Sequence, residues 1–584
     1  LGCSQPGAAR PGAAWLGEAW LCEGGKARFF RRRWNQLGEA WQGKEGVARQ
    51  GFMILTATTI GDRFRLRGPY APEFYRSLPD SRWDKAARCW TCRATPATAW
   101  RLFGAEWELS ADETVHQLHD QFIRRNGDNK GQPPLCVSPS WQHQCEAYWF
   151  AEDRHAALVA MGMGTGKSKV VVDLVQNKQM RRILVICPTS VRRVWPREFD
   201  RHSIMQPNML VLDRGTVKKK TQSASMFVET PRPPAVVVVN YETAWRPDFL
   251  KWASSVEWDL VVCDESHRIK GHNSKVSKGC AAIGRGAKHR LCLTGTPMSH
   301  SPLDLFGQFR FLDPGLFGTS YHRFRNLYAI SGPFGANHIV GFKNQDDLAR
   351  KMALLTYQVG SEVLDLPEAM HHEVDVVLSA KSRRQYDGLR DEMIAEVADG
   401  TITVANGLVK LLRLQQMTSG FCSDEKGTEH LLGSDKQDAL SDLLDGIDTP
   451  AVVFCRFRHD LDSVRQVSEK LGRRFGELSG RVNDLTDDAT MPDDIDVMAV
   501  QIQAGGVGID LTLAAYAIYY STGFSLGEYE QSMARVHRPG QRRTVHYYHL
   551  LAENSVDGIV FNALRKKRKI VDEVLDYLKG ESDG

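Results

Sequence analysis

Two short stretches of this 584-residue chain carry groups suited to phosphate and divalent-metal chemistry. The first, Gly162-Met163-Gly164-Thr165-Gly166-Lys167-Ser168, follows the apolar run Ala157-Leu158-Val159-Ala160. Glycines let a backbone turn tightly and aim its N–H groups at phosphate oxygens, and a helix starting near Ser168 adds its positive end. Lys167 is placed to reach terminal phosphates, the Ser168 hydroxyl to bind Mg²⁺, and Gly164, Thr165 and Gly166 to line the cradle. Met161 stands where the strict pattern has its first glycine. The second stretch is Asp264-Glu265, at the end of the run Leu260-Val261-Val262-Cys263. Paired carboxylates at a strand tip suit metal-assisted hydrolysis, with Asp264 in the metal shell and Glu265 orienting or deprotonating the attacking water. Alone, the first stretch also reads as a glycine-rich turn and the second as a solvated acidic turn. In one chain they point to nucleotide hydrolysis.

The elements that must position these groups repeat with a rhythm. Continuous apolar runs at Ala157–Ala160, Ile183–Cys187, Val236–Val239, Leu260–Cys263 and Leu291–Leu293 alternate with helical stretches. The rhythm restarts at Val374–Leu378, Ala451–Phe454, Val497–Val500 and Ala517–Tyr520. Runs without polar alternation predict strands covered on both faces, as in a parallel sheet flanked by helices. Two such blocks predict two α/β lobes, at 135–365 and 366–575. Before them, period-two patterning and Pro69, Pro72 and Pro79 predict a small β-rich unit over 53–105, joined by a polar linker at 106–134. Residues 1–52 repeat Trp- and Gly-rich phrases without a secretory core, and are expected to be a leader preceding a native start at Met53.

Composition adds limits. Lys and Arg number 75 against 70 Asp and Glu, so a nucleic-acid track, if present, is local rather than global. No stretch approaches the roughly 20 apolar residues needed to span a bilayer. The 12 cysteines are scattered, several within apolar runs, which fits buried thiols in a reducing cytoplasm. Cys89-Trp90-Thr91-Cys92 lacks a second ligand pair nearby and reads as a short strand.

Asp264-Glu265-Ser266-His267 resembles the DExH box of superfamily-two helicases, and the residues around it resemble the SWI/SNF-type ATPases. The likeness extends through Pro139-Ser140-Trp141-Gln142, Cys187-Pro188-Thr189-Ser190 with Trp195 and Glu198, Leu293-Thr294-Gly295-Thr296-Pro297, Ala504–Leu511 and Gln531–Gln541. It implies two RecA-like lobes that hydrolyse ATP with Mg²⁺ while moving on DNA. Carried onto this chain, it makes Gln142 the adenine reader and Arg535 and Arg538 the guanidinium groups offered to the phosphates. Thr294, Thr296, Gly508, Asp510 and Gln531 become couplers of nucleotide state to DNA grip. Pro188, Thr189, Ser190 and Arg456 become backbone contacts on the DNA. The chain departs from the pattern at Ser266 (commonly Ala), at Asp510 (commonly Asn) and at Met298-Ser299-His300 (often Ile-Gln-Asn). The small unit, through Phe64–Leu66, Pro69-Tyr70, Arg82-Trp83-Asp84 and Cys89-Trp90-Thr91, resembles the HARP domain of annealing helicases, which implies forked-DNA binding.

The expected activity is ATP-driven translocation on double-stranded or forked DNA, held mainly by its phosphates. A strand-separating helicase and an ATP-gated clamp are the alternatives. A cytoplasmic setting in a bacterial or phage-infected cell is expected, with no membrane partner. The basic runs Lys218–Lys220 and Arg565–Lys569 read either as DNA contacts or as solvated surface.

Overall fold

The computed structural model describes residues 54–105, 107–123, 134–229, 234–298, 301–332, 339–398, 404–423, 428–503 and 509–565. The expected leader, Gly508, Ser299, His300 and the basic residues after Arg565 lie outside them.

The first apolar block folds as a seven-stranded sheet. In spatial order its strands are Thr356–Val359, Ala156–Met161, His289–Thr294, Leu260–Asp264, Arg182–Cys187, Ala235–Asn240 and Asn208–Val211. Every pairing is parallel. Alternate side chains of one strand enter two separate cores: Leu158 and Ala160 face one, Ala157, Val159 and Met161 the other. Each fully buried Val or Leu contributes about 1.5–3 kcal/mol, so such strands hold their register without polar alternation. The second block repeats the arrangement with six parallel strands, in the order Ala369–Val376, Val545–Ala552, Tyr516–Tyr519, Ala451–Cys455, Val497–Gln501 and Phe475–Leu478. These are the two RecA-like lobes.

Ahead of them lies a five-stranded sheet, in the order Arg82–Asp84, Cys89–Arg93, Arg63–Arg67, Ile54–Ile60 and Glu108–Ala111. Gly61 takes a positive φ of 57° in the tight connection from Ile60 to Arg63. The segment expected as linker therefore holds structure. Glu108–Ala111 pairs in parallel with Ile54–Ala57, and the helix Glu113–Ile123 buries Val115 against the same core. A four-residue strand followed by an amphipathic helix offers too little apolar run to stand out in the sequence, and only its pairing reveals it.

One buried carboxylate joins this unit to the first lobe. Asp313 Oδ2 accepts hydrogen bonds from Ala97 N (3.1 Å) in the small unit and from His155 Nε2 (2.8 Å) in the lobe. Its Oδ1 accepts from Gly315 N at 2.7 Å. A side chain at Gly315 would lie 2.6 Å from Thr98 N, so the two backbones meet there. Burial opposes the charge on Asp313, but His155, Arg290 and the Gly315 N–H outweigh it and hold its pKa below 3.8. Its contribution is thus full above that value and lost as pH falls through the depressed folded pKa. Asp313→Ala is expected to cost about 3–5 kcal/mol, because it leaves buried donors without their acceptor. Urea melts at pH 7 check this, and a cost below about 1 kcal/mol would refute the hub.

Candidate active site

Parallel strands deliver their C-terminal tips to one edge of the sheet, where ligands bind in such folds. Thr294 lies opposite Ala160 and Leu293 opposite Asp264, so the tips following Met161, Asp264 and Thr294 are neighbours. After Met161 the chain passes through Gly162–Gly166 into the helix Lys167–Asn177. Gly164 and Gly166 adopt φ of 77° and 82°, a backbone that other residues take only under strain. Lys167 Nζ donates to the loop's own carbonyls at Met161 (3.0 Å) and Gly162 (3.1 Å). Thr165 Oγ1 also closes onto Gly162 O, at 2.7 Å. Burial lowers the pKa of Lys167, opposed by the charges of Glu265 and Asp264.

The acidic tip is built with equal care. Asp264 Oδ2 accepts from Trp195 Nε1 (3.2 Å), its Oδ1 from Glu265 N (2.9 Å), and its carbonyl from Tyr241 OH (2.7 Å). Trp195 and Tyr241 are both buried. Burial, and Glu265 beside it, push the Asp264 pKa up to about 7. Burial also opposes charge on Glu265, but His267, 3.3 Å away, together with Lys167 and Arg535, holds its pKa below the usual value. Of the two carboxylates, Asp264 takes the first proton and Glu265 stays ionised. The Glu265 backbone is left-handed, φ 51° and ψ 54°, which turns its side chain sharply from the strand line.

The second lobe reaches this edge. A side chain built at Gly164 would lie 3.0 Å from Pro539 Cδ and 3.7 Å from Arg538 Cβ. Arg535 is 7% exposed, and burial lowers its pKa to about 10, with Arg538 adding repulsion and Glu265 attraction. Its Nε has no hydrogen-bond partner among the described residues. Arg538 donates from NH1 to Ile509 O (2.8 Å), while its Nε stands 4.0 Å from Asp510 Oδ2. Gln541 locks the segment, donating to Thr512, Ala514 and Val536 carbonyls and accepting from Arg542 N and Arg543 N. The segment after Val359, between the lobes, touches both: Ser361 Oγ donates to Met163 O (3.4 Å), and His537 Nε2 donates to Pro367 O (2.7 Å). Arg197 reaches across to the Asp487 carbonyl.

Other expected residues are placed as follows. Gln142 is exposed and donates to Glu146 Oε1 (3.2 Å), away from the glycine loop. Gln144 takes the loop position instead. Its Nε2 donates to Thr165 O (3.0 Å), as does His143 Nε2 (3.0 Å), and a side chain at Gly166 would collide with it. Two residues along a helix turn a side chain to another face, so the single shift in position decides which glutamine touches the loop. Ser168 is half-buried at the helix start. Thr294 is buried, and its Oγ1 accepts from Thr296 N (3.1 Å). Gln531 is half-buried on the helix Leu526–Val536. Pro188 is buried while Thr189 and Ser190 are exposed. Arg456 is committed, with NH1 on Gln415 Oε1 (2.7 Å) and its guanidinium over Phe524 (4.1 Å). Sequence reading missed Gln144, Tyr241 and Gln541, and gave no role to Trp195.

The residues suit a magnesium nucleotide. A hydroxyl (Ser168) and a carboxylate (Asp264) are hard oxygen donors of the kind Mg²⁺ prefers, and burial with Glu265 alongside raises the Asp264 pKa even against the charge of Lys167, so a further cation there is stabilising. The buried Nε of Arg535, without a partner among the described residues, suits a phosphate oxygen.

Comparison with known proteins gives a consistent picture. The SNF2-related domain model matches residues 36–421, and the helicase conserved C-terminal domain model matches 435–540. A Caenorhabditis elegans homolog of SWI/SNF-related matrix-associated actin-dependent regulator of chromatin subfamily A-like protein 1 is 25% identical, over 88% of this chain and 75% of its own. A protein of Acyrthosiphon pisum secondary endosymbiont phage 1, named only as putative, is 25% identical over 72% of this chain and 94% of its own. An uncharacterized ATP-dependent helicase of Mycoplasma genitalium is 24% identical over 73% of this chain, which spans 40% of that longer protein.

Proposed function

Because the chain belongs to the SNF2-related family of DNA-dependent ATPases, we propose that it is a double-stranded DNA translocase that rewinds DNA or displaces bound protein. The observation that carries this reading is the meeting of the lobes, with Arg538 and Pro539 against Gly164 and the Arg535 charge felt at Lys167 and Glu265. Groups from both lobes then surround one triphosphate, and turnover depends on their closure.

In this mechanism the loop amides and Lys167 hold the phosphates, which requires Lys167 to leave its own carbonyls. Glu265, ionised at neutral pH, orients the attacking water and takes its proton. Arg535 and Arg538 supply positive charge where the γ-phosphoryl group separates. Mg²⁺, held by Ser168 and Asp264, would neutralise charge on the phosphate oxygens. Thr294, Thr296, Asp510 and Gln531 couple closure to DNA grip. Thr189 and Ser190 offer exposed hydroxyls and backbone groups to a DNA strand, contacts that carry no base information. Arg456 acts on DNA only after exchanging its Gln415 partner.

The small unit adds a basic face. Phe64 and Leu66 point into its core, while Arg63, Arg65 and Arg67 take the opposite face, with Arg65 paired across to Thr58 and Thr91. That face supports phosphate binding at a fork, as expected of a HARP-like unit. The protein works inside a bacterial or phage-infected cell on this reading. Among the described residues no helix is long and apolar enough to cross a membrane.

ATP turnover measured against duplex, forked and single-stranded DNA tests the proposal. Duplex and forked DNA are expected to raise turnover by about tenfold or more, with strong loss at high salt and no strand separation. Preference for single strands with unwinding favours a helicase. Tight ATP-gated binding without turnover favours a clamp. Either result defeats the translocase.

A further inference from the structure

Ser266 stands where the resembling pattern carries alanine, and the structure gives its hydroxyl a partner that alanine lacks. Ser266 and Gln308 are both fully buried. Ser266 Oγ donates to Gln308 Oε1 at 2.8 Å. Gln308 Nε2 donates to Pro297 O at 2.7 Å and to Asp304 O at 3.2 Å. Both ends of one carboxamide are thereby used, between two fully buried side chains.

The two groups it joins are functionally distinct. Ser266 directly follows Glu265 and opens the short turn Ser266–Ile269. Pro297 closes the turn that begins at Thr294, whose hydroxyl accepts from Thr296 N. The helix bearing Gln308, Leu305–Leu312, is pressed onto the acidic tip: a side chain at Gly307 would collide with Ile269 O and lie 2.9 Å from Lys270 O. Arg310 on the same helix donates to His272 O (2.9 Å) and Ser277 Oγ (2.8 Å). Moving Pro297 relative to Glu265 by about an ångström would break a hydrogen bond of the buried Gln308 carboxamide unless Ser266 follows.

We propose that Ser266 and Gln308 form a positioning pair that transmits DNA engagement at the Thr294–Pro297 turn to the Glu265 carboxylate. The pair touches neither nucleotide nor DNA and acts through the two turns it joins. This role rests on the translocase reading. It also explains why Ser266 is not a neutral replacement for alanine: alanine would leave the Gln308 oxygen without its donor, a different defect from lost volume.

The test uses the full chain with Ser266→Ala, Gln308→Leu and the double variant, together with wild type. Three quantities are read: turnover with saturating duplex divided by turnover without DNA, KM for ATP, and melting temperature. Each single variant is expected to lose about tenfold in the duplex-stimulation ratio, with KM for ATP changed by less than about twofold. In the double variant neither the Ser266 hydroxyl nor the Gln308 oxygen is left behind, and Pro297 O lacks its donor as it does in Gln308→Leu. Its melting temperature is expected to rise above that of Gln308→Leu while its stimulation ratio stays low. A pair serving stability alone would recover both together, and that result overturns the proposal, as does a wild-type ratio in either single variant. Absence of duplex stimulation in wild type itself removes the translocase reading, and this role with it.

Discussion

Arg535→Ala lowers DNA-stimulated ATP turnover by about 10³-fold or more, the range in which arginine fingers act. The expectation comes from where the guanidinium lies. Arg535 is buried, its pKa is pulled down to about 10 first by burial and then by Arg538, and its Nε has no partner among the described residues. A buried cation in that condition is stabilised when an anion arrives, and the γ-phosphoryl group carries most charge as it separates. Arg535→Lys keeps the charge but loses the planar fork, so an intermediate loss is expected. Phosphate release at saturating ATP and duplex measures the effect, and binding of a fluorescent nucleotide shows that the site survives. Turnover within about threefold of wild type would remove Arg535 from the reaction and leave Arg538 as the second lobe's contribution to it.

Glu265→Gln is the second large effect, with an expected loss of about 10²–10⁴-fold in turnover and little change in nucleotide affinity. The substitution keeps the shape of the side chain and the left-handed backbone at this position, and it removes only the capacity to accept a proton. Burial opposes ionisation of Glu265, but His267, Lys167 and Arg535 prevail and set its pKa below the ordinary 4.5. The base is therefore fully ionised at neutral pH, and its loss by protonation begins only below that value. A pH–rate profile should show no limb from Glu265 between pH 5 and 8. A Glu265→Gln protein that hydrolyses at the wild-type rate would assign the proton transfer elsewhere.

Much of this was readable before folding. Most of the apolar runs fell on central strands because both faces of a parallel sheet are covered, and continuous burial leaves a direct trace in the sequence; Val374–Leu378 instead overlaps only the end of the edge strand Ala369–Val376. Asn208–Val211, Thr356–Val359 and Phe475–Leu478 left no such trace, being edge strands that carry polar groups or a glycine. Val545–Ala552 is central, yet His546 and His549 interrupt its apolar character. The glycine loop and the acidic pair were legible because their chemistry is local. Trp195 on Asp264 and Gln308 on Ser266 were not, since each is a contact between residues far apart in the chain. Gln142 and Gln144 show the finest limit. Sequence spacing brings glutamine to the right helix, but the face each one presents is set by the docking of that helix on the loop.

The shared carboxylate at Asp313 bears on how such a chain can be rearranged over generations. A module held only by a tether can be exchanged between genes at almost any point along it. Here the receptor for the Ala97 amide is encoded far downstream, beyond the loop, the acidic tip and the helix bearing Gln308. Recombination that imported a foreign small unit would succeed only where the incoming helix presented a matching amide to that buried oxygen. Ancestry should accordingly be read jointly for both parts, and hybrids should be scored first for whether that junction closes.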